Sequence, residues 1–171
     1  VARLMQYCGT ALEMNYGLSS TGGSSAYNRS MADDLKTYFG YQSSYVQRQH
    51  YSYQEWVSLI YGELADRRPV VLGGQSAGGG HSFVCDGYDT GDYFHINWGW
   101  GGSSDGYFRL SLLNPYEQGI GGSSTLDGFG FMQDAVIGIK SNNGSKAPTC
   151  LSLEKLQFDA TGSVATQVIN R

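Results

Sequence analysis

The stretch "GGGHSFVCDGYDTGDYFHINWGWGG", residues 78–102, decides the fold class. Its two apolar halves, "HSFVCDGY" (81–88) and "YFHINWGW" (93–100), are short and rich in β-branched and aromatic residues, and the turn-forming "DTGD" separates them. That pattern predicts two strands of a hairpin centred near Asp89–Gly91. Further strands are expected at "PVVLGG" (69–74), "GYFRLSLL" (106–113) and "DAVIGIK" (134–140), between glycine-rich turns.

Upstream of Pro69 the hydrophobic period lengthens. Residues 2–16 place Leu4, Cys8, Ala11, Leu12 and Tyr16 near one helical face, with Gly17 as the stop. A second helix is expected over 28–39, capped by Asn28 or Ser30, with Met31, Leu35, Tyr38 and Phe39 as its apolar stripe. A third starts at Ser52, where Glu55 stands at capping-box spacing. Its core face is Trp56, Leu59, Ile60 and Leu64, and Pro69 marks the exit. Helices first and strands afterwards predict an α+β fold, not an alternating doubly wound sheet.

The 171 residues have room for one domain with a sizeable core, or one domain and part of another. Twenty-five glycines and 13 tyrosines against 3 prolines fit tight turns and aromatic packing on pleated surfaces. A formal charge of −4 without a lysine/arginine cluster argues against a nucleic-acid surface. No apolar run approaches the ~20 residues of a membrane-spanning helix. The opening "VARLMQYCGTALEM" reads as the interior of a longer polypeptide. Cys8, Cys85 and Cys150 are too scattered for a disulfide framework.

Near the end, "SNNGSKAPT" (141–149) has linker composition, and strand-like alternation resumes through Leu151/Leu153 and Val164/Thr166/Val168. The expected organisation is a main domain over 1–140, a linker over 141–150, and the start of a following β-domain over 151–171.

In the expected hairpin, His81 and Asn97 have equal parity, share a face and lie nearly opposite each other. An asparagine amide that holds one ring nitrogen fixes the imidazole tautomer and leaves the other nitrogen for a thiol. Trp98 would shield that bond from water, and Gly78, Gly79 and Gly80 would let a substrate backbone approach. Three other readings stand beside this one. His81 is a packed strand residue; or His81, Cys85 and His95 bind a metal, without any paired ligand spacing; or Asn97 is a turn residue.

"GGGHSFVCDGYD", "YFHINWGWGGSSDGYFRLSLLNP", "QGIGG" and "MQDAVIGIK", with "MQYCGTALEMNYG" and "YFGY" before them, resemble the streptopain family of bacterial papain-like cysteine endopeptidases. The resemblance runs in order over about residues 3 to 140. It implies part of a papain-like fold, with N-terminal helices and then an antiparallel, strongly twisted sheet. It also implies a secreted or cell-surface protease made as a zymogen with an N-terminal propeptide and acting on protein or peptide substrates. By position His81 matches the catalytic histidine, Asn97 the asparagine that orients it and Trp98 the tryptophan beside them. Gly78–Gly80 would form one wall of the substrate cleft, and the tail resembles in placement the β-modules that follow such catalytic domains.

Papain-like enzymes carry their nucleophile at the start of a long helix upstream of the histidine, with a glutamine before it for the oxyanion. Cys8 lies within an expected helix, where the helix dipole does not lower a thiol pKa, and the resemblance places its segment downstream of the nucleophile. Cys85 reads as core, and Cys150 falls past the domain. The chain is therefore expected to carry the His/Asn half of a Cys-His-Asn site, without cofactor or metal, and to be inactive alone. The alternative is a protease-derived binding module that uses an aromatic cleft.

Overall fold

The computed structural model describes residues 1–18, 20, 23–116 and 128–142, and the backbone of two strands within 152–170. Elements run in the order α1 (Ala2–Ala11), α2 (Asn28–Phe39), β1 (Tyr41–Gln47), a 3-10 turn at Arg48–His50, α3 (Tyr53–Ala65), and β2 (Val70–Ser76). There follow β3 (Gly79–Tyr88), β4 (Phe94–Asn97), β5 (Gly106–Phe108), β6 (Phe131–Ser141), β7 (Ser152–Phe158) and β8 (Val164–Asn170). Strands β1 to β6 form one sheet in the order β1-β6-β2-β3-β4-β5, and β7 and β8 form a separate pair. The pairs β2–β3, β2–β6, β3–β4 and β4–β5 are all antiparallel. The α+β arrangement is the one expected.

By chain contacts the residues group into two compact units, 1–42 with 141–171, and 43–140. In the first, α1 ends at Ala11, short of the expected Gly17. Glu13 turns into the left-handed region at φ +48°, and Met14 N–H reaches back to Gly9 O at 2.9 Å. That is the helix-terminating geometry usually given to glycine. Gly9, Thr10 and Ala11 are the buried residues of α1, and Leu4 of the expected stripe is exposed. Helix α2 has the expected span, but Tyr27 occupies its N-cap position, and Gly40 closes it in the left-handed region at φ +69°.

The second unit holds the core. Ser52 and Glu55 make the reciprocal capping box that starts α3. The helix buries Trp56, Ile60 and Leu64 against Val70, Leu72, Phe83, Cys85 and Ile96 of the sheet. Each such side chain contributes ~1.5–3 kcal/mol on leaving water. A buried anchor ties α3 to β6: the Glu63 carboxylate accepts from Arg68 at 2.7 and 3.2 Å and from Gly138 N–H at 2.9 Å. Burial alone would raise the Glu63 pKa, but the Arg68 and Gly138 bonds outweigh it and hold the carboxyl below its ordinary value.

Strand β1 has no counterpart among the expected elements. Its "YQSSYVQ" carries little apolar alternation, which suits an edge strand with one buried residue, Ser43. β4 and β5 are shorter than expected because the chain turns after Asn97 and again at Arg109–Leu113. Most of the expected linker, with Cys150, lies outside the described residues.

Candidate active site

Strands β2 and β3 meet in a tight turn, with Ser76 paired to Gly79, and run back so that His81 lies opposite Gly74. Gly74 has to be glycine, because the backbone carbonyl of Phe129 occupies the place a Cβ would take. That close approach brings the Phe129 ring to 5.5 Å from the His81 ring. Trp100 stacks on the imidazole with centroids 4.9 Å apart and planes inclined by 27°. Gly78, Gly79, Gly80 and His81 border one cavity of about 310 Å³, walled further by Trp100, Tyr116 and Phe129.

The hairpin register differs from the one expected. Asn97 pairs with Val84 and Ile96 with Cys85, and an irregularity between Cys85 and Gly87 then shifts the count. His81 lies beyond the last pair with β4. By strand alternation it shares a face with Phe83 and Cys85, while Asn97 shares the opposite face with Val84. The expected His81–Asn97 cross-strand neighbourhood is therefore absent, and the physical reason is the irregularity between Cys85 and Gly87, whose one-residue slip moves Asn97 to the other face.

The imidazole is held by a backbone carbonyl instead. His81 Nε2 lies 2.8 Å from Trp98 O. A carbonyl oxygen only accepts, so Nε2 carries the hydrogen and the neutral ring keeps a lone pair on Nδ1. The Asn97 side chain is engaged nearby, where its Oδ1 accepts the Gly99 N–H at 2.9 Å.

Trp98 is fixed at several points. Its N–H donates to Asp105 Oδ1 at 2.9 Å, and its indole Nε1–H donates to Ser104 O at 3.0 Å. The ring is fully buried, 4.7 Å from Phe83 and edge-on to Phe108 at 5.4 Å. The chain between these partners doubles back because Gly99, Gly101, Gly102 and Ser104 all lie in the left-handed region, at φ +78°, +66°, +91° and +64°. Glycine adopts that region freely; at Ser104 it costs about 1–2 kcal/mol, set against the two bonds that close the loop. The sequence predicts a strand to Trp100 and leaves only the glycine-rich residues before Gly106 as a turn, and nothing in it signals that Asp105 returns to Trp98.

The other polar candidates point elsewhere. Cys85 is fully buried, and burial first, then the nearby Asp86 charge, push its thiol well above the usual value. Partial burial also raises the Cys8 thiol. His95 Nδ1 lies 2.5 Å from Asp86 Oδ1 and accounts for that ring's polar contact. Among the described residues no group of three or more His, Cys, Asp or Glu side chains could hold a metal ion.

Comparison with known proteins defines the class first. The fold matches that of the active cysteine protease interpain A from Prevotella intermedia, with a TM-score of 0.73 and 38% identity over 82% of this chain and 56% of that one. Prevotella intermedia prointerpain A matches at a TM-score of 0.64 and 34% identity, over 82% and 42% of the two chains. Streptopain from Streptococcus pyogenes serotype M28 is 45% identical over 143 residues, 82% of this chain and 34% of its own length. The thiol protease/hemagglutinin PrtT of Porphyromonas gingivalis is 42% identical over 120 residues, 69% of this chain and 14% of its own. The chain thus spans about a third of the length of streptopain. The pattern of the peptidase C10 family matches residues 1–108, and the chain belongs to that family.

Proposed function

We propose that this chain carries the base half of a peptide-hydrolysing Cys–His site, with His81 as general base and acid. The observation that carries the reading is the bond from His81 Nε2–H to Trp98 O, which leaves Nδ1 as proton acceptor. Nδ1 takes the proton of a cysteine thiol, and the thiolate attacks the scissile carbonyl. The imidazolium then returns the proton to the departing amine. In the second half His81 deprotonates the water that hydrolyses the thioester, and the thiol regains its proton.

The attacking thiol is read as supplied from outside these 171 residues, so that the chain alone is inactive. Two features support this: the Cys85 thiol is buried and pushed up, and Cys8 lies within α1 with its thiol also pushed up. The Gly78–Gly80 edge is read as a wall of the substrate cleft, supported by the cavity it shares with His81. Asn97 keeps a place as orienter only if its Oδ1 exchanges the Gly99 N–H for the ring. Secretion, a propeptide and a β-domain beginning in 151–171 complete the proposal. The separate β7–β8 pair is consistent with that last element. No helix among the described residues is long and apolar enough to cross a membrane.

The test uses the complete gene product. It should cleave a peptide substrate, and His81→Ala should abolish cleavage; undiminished turnover in that variant removes His81 from the role. A binding module is the second reading, favoured by the aromatic walls Trp100, Tyr116 and Phe129. It predicts peptide binding without turnover in the same protein.

A further inference from the structure

We propose, on the reading of His81 as the general base, that Asp105 is the positioning residue of that base and acts through the Trp98 backbone. Four groups form one chain of contacts. The Asp105 carboxylate accepts the Trp98 N–H at 2.9 Å, Ser104 O accepts its indole N–H at 3.0 Å, and Trp98 O accepts the His81 Nε2–H at 2.8 Å. The Asp105 bond fixes the 97–98 peptide and the Ser104 bond the indole, which leaves one backbone torsion before the carbonyl. The carbonyl's own 98–99 peptide plane is held at its Gly99 N–H by Asn97 Oδ1 at 2.9 Å, so Asp105 supplies the fixed end from which that plane is aimed.

A loosened carbonyl has a definite chemical consequence. The neutral imidazole would then populate the Nδ1–H tautomer, in which Nδ1 holds a hydrogen and has no lone pair for a thiol proton. Ring orientation would loosen as well, and misplacement of a reacting group by an ångström costs turnover rather than binding. The left-handed residues of the 99–104 loop gain a purpose on this account: they fold Asp105 back onto the residue that holds the base. The bond to a carboxylate is stronger than one to a neutral acceptor, but direction is what His81 needs, and any acceptor oxygen at that position supplies it.

Two substitutions in the complete gene product test this. Asp105→Ala removes the acceptor and should lower kcat on a peptide substrate roughly ten-fold or more, with KM within about two-fold. Asp105→Asn keeps an acceptor oxygen and should hold kcat within about three-fold of the unsubstituted protein. Nitrogen NMR shifts of the neutral His81 ring read the tautomer directly. A single Nε2–H form is expected in the unsubstituted protein and in Asp105→Asn, and a mixture in Asp105→Ala. Those shifts are measurable whether or not the protein cleaves peptides, so failure of the peptidase reading and failure of the Asp105 assignment are separately visible. An Nδ1–H form in the unsubstituted protein overturns the assignment. So does an Asp105→Ala variant that keeps both tautomer and kcat, or equal damage from Ala and Asn. If Asp105→Ala does not fold, Asp105→Glu replaces it. Its carboxylate is displaced by one methylene, the same losses are expected, and their absence overturns the assignment.

Discussion

His81 and His95 stand on neighbouring strands of one sheet and are held in different ways. His81 gives its Nε2–H to a backbone carbonyl and is surrounded by the rings of Trp98, Trp100 and Phe129. His95 pairs with the half-exposed carboxylate of Asp86 and meets the edge of Tyr107. A carbonyl selects one tautomer without adding charge, whereas a carboxylate forms an ion pair whenever the ring is protonated. The first arrangement leaves Nδ1 of a neutral ring with a free lone pair, as the proposed base requires, and the second is a surface contact. The partner and the surroundings decide what the imidazole can do.

The largest expected difference lies in catalysis. In the complete gene product, His81→Ala should cost 10² to 10⁴ in turnover on the order of a lost general base, while His95→Ala should leave kcat/KM within about two-fold. Comparable losses from both variants would erase the distinction. Next comes the support of the His81 side. Trp98→Ala removes a fully buried indole and should cost ~3–5 kcal/mol in denaturant unfolding. A loss under 1 kcal/mol would mean that the Trp98 clamp does not anchor this face.

The Glu63–Arg68 pair sharpens the other half of the contrast, because its carboxylate is buried while its guanidinium stays partly exposed. Among the described residues Glu63→Ala leaves Arg68 paired with Asp66, at 2.8 Å, and partly exposed to water, so the cost should fall at ~1–3 kcal/mol, between an exposed pair and a fully buried one. The folded-state pKa of Glu63 lies below its ordinary 4.5, so the pair contributes full stability above that value. That contribution drains away as pH falls through the lower folded value. Unfolding midpoints measured downward from pH 5 should therefore drop more steeply for the unsubstituted protein than for Glu63→Ala. Parallel curves would contradict the direction of the shift.

The smallest effect belongs to the surface pair. Asp86→Asn should change stability by less than about 1 kcal/mol, and 1 M salt should remove most of that difference. A larger, salt-insensitive loss would show that the Asp86–His95 contact behaves as an interior pair.

Much of the scaffold was legible because its causes are local. The capping box at Ser52 and Glu55 and the apolar face of α3 follow from side chains within one or two turns of each other. The same holds for the span of α2, closed by Gly40, and for the runs that became β2, β3 and β6. Where the cause is distant, local reading failed. Strand β1 exists because a sheet edge was there to receive it, not because its sequence alternates. The early stop of α1 depends on Glu13 adopting a conformation that composition assigns to Gly17.

For the site, the sequence by itself determined its inventory: a histidine after three glycines, an Asn-Trp pair on the next strand, and no thiol placed at a helix start. The order of those residues sufficed to mark a cysteine-peptidase resemblance, and membership of the C10 family agrees with it. Only the tertiary structure decided which atom holds the imidazole. Parity across a hairpin assumes a turn position, and the irregularity near Gly87 moves Asn97 to the other face. Four left-handed residues then bring Asp105 and Ser104 back onto Trp98, whose carbonyl accepts the hydrogen bond from His81 Nε2–H. Hydrogen-bond partners are set by backbone direction to within an ångström, and sequence spacing carries no such information until the chain has folded.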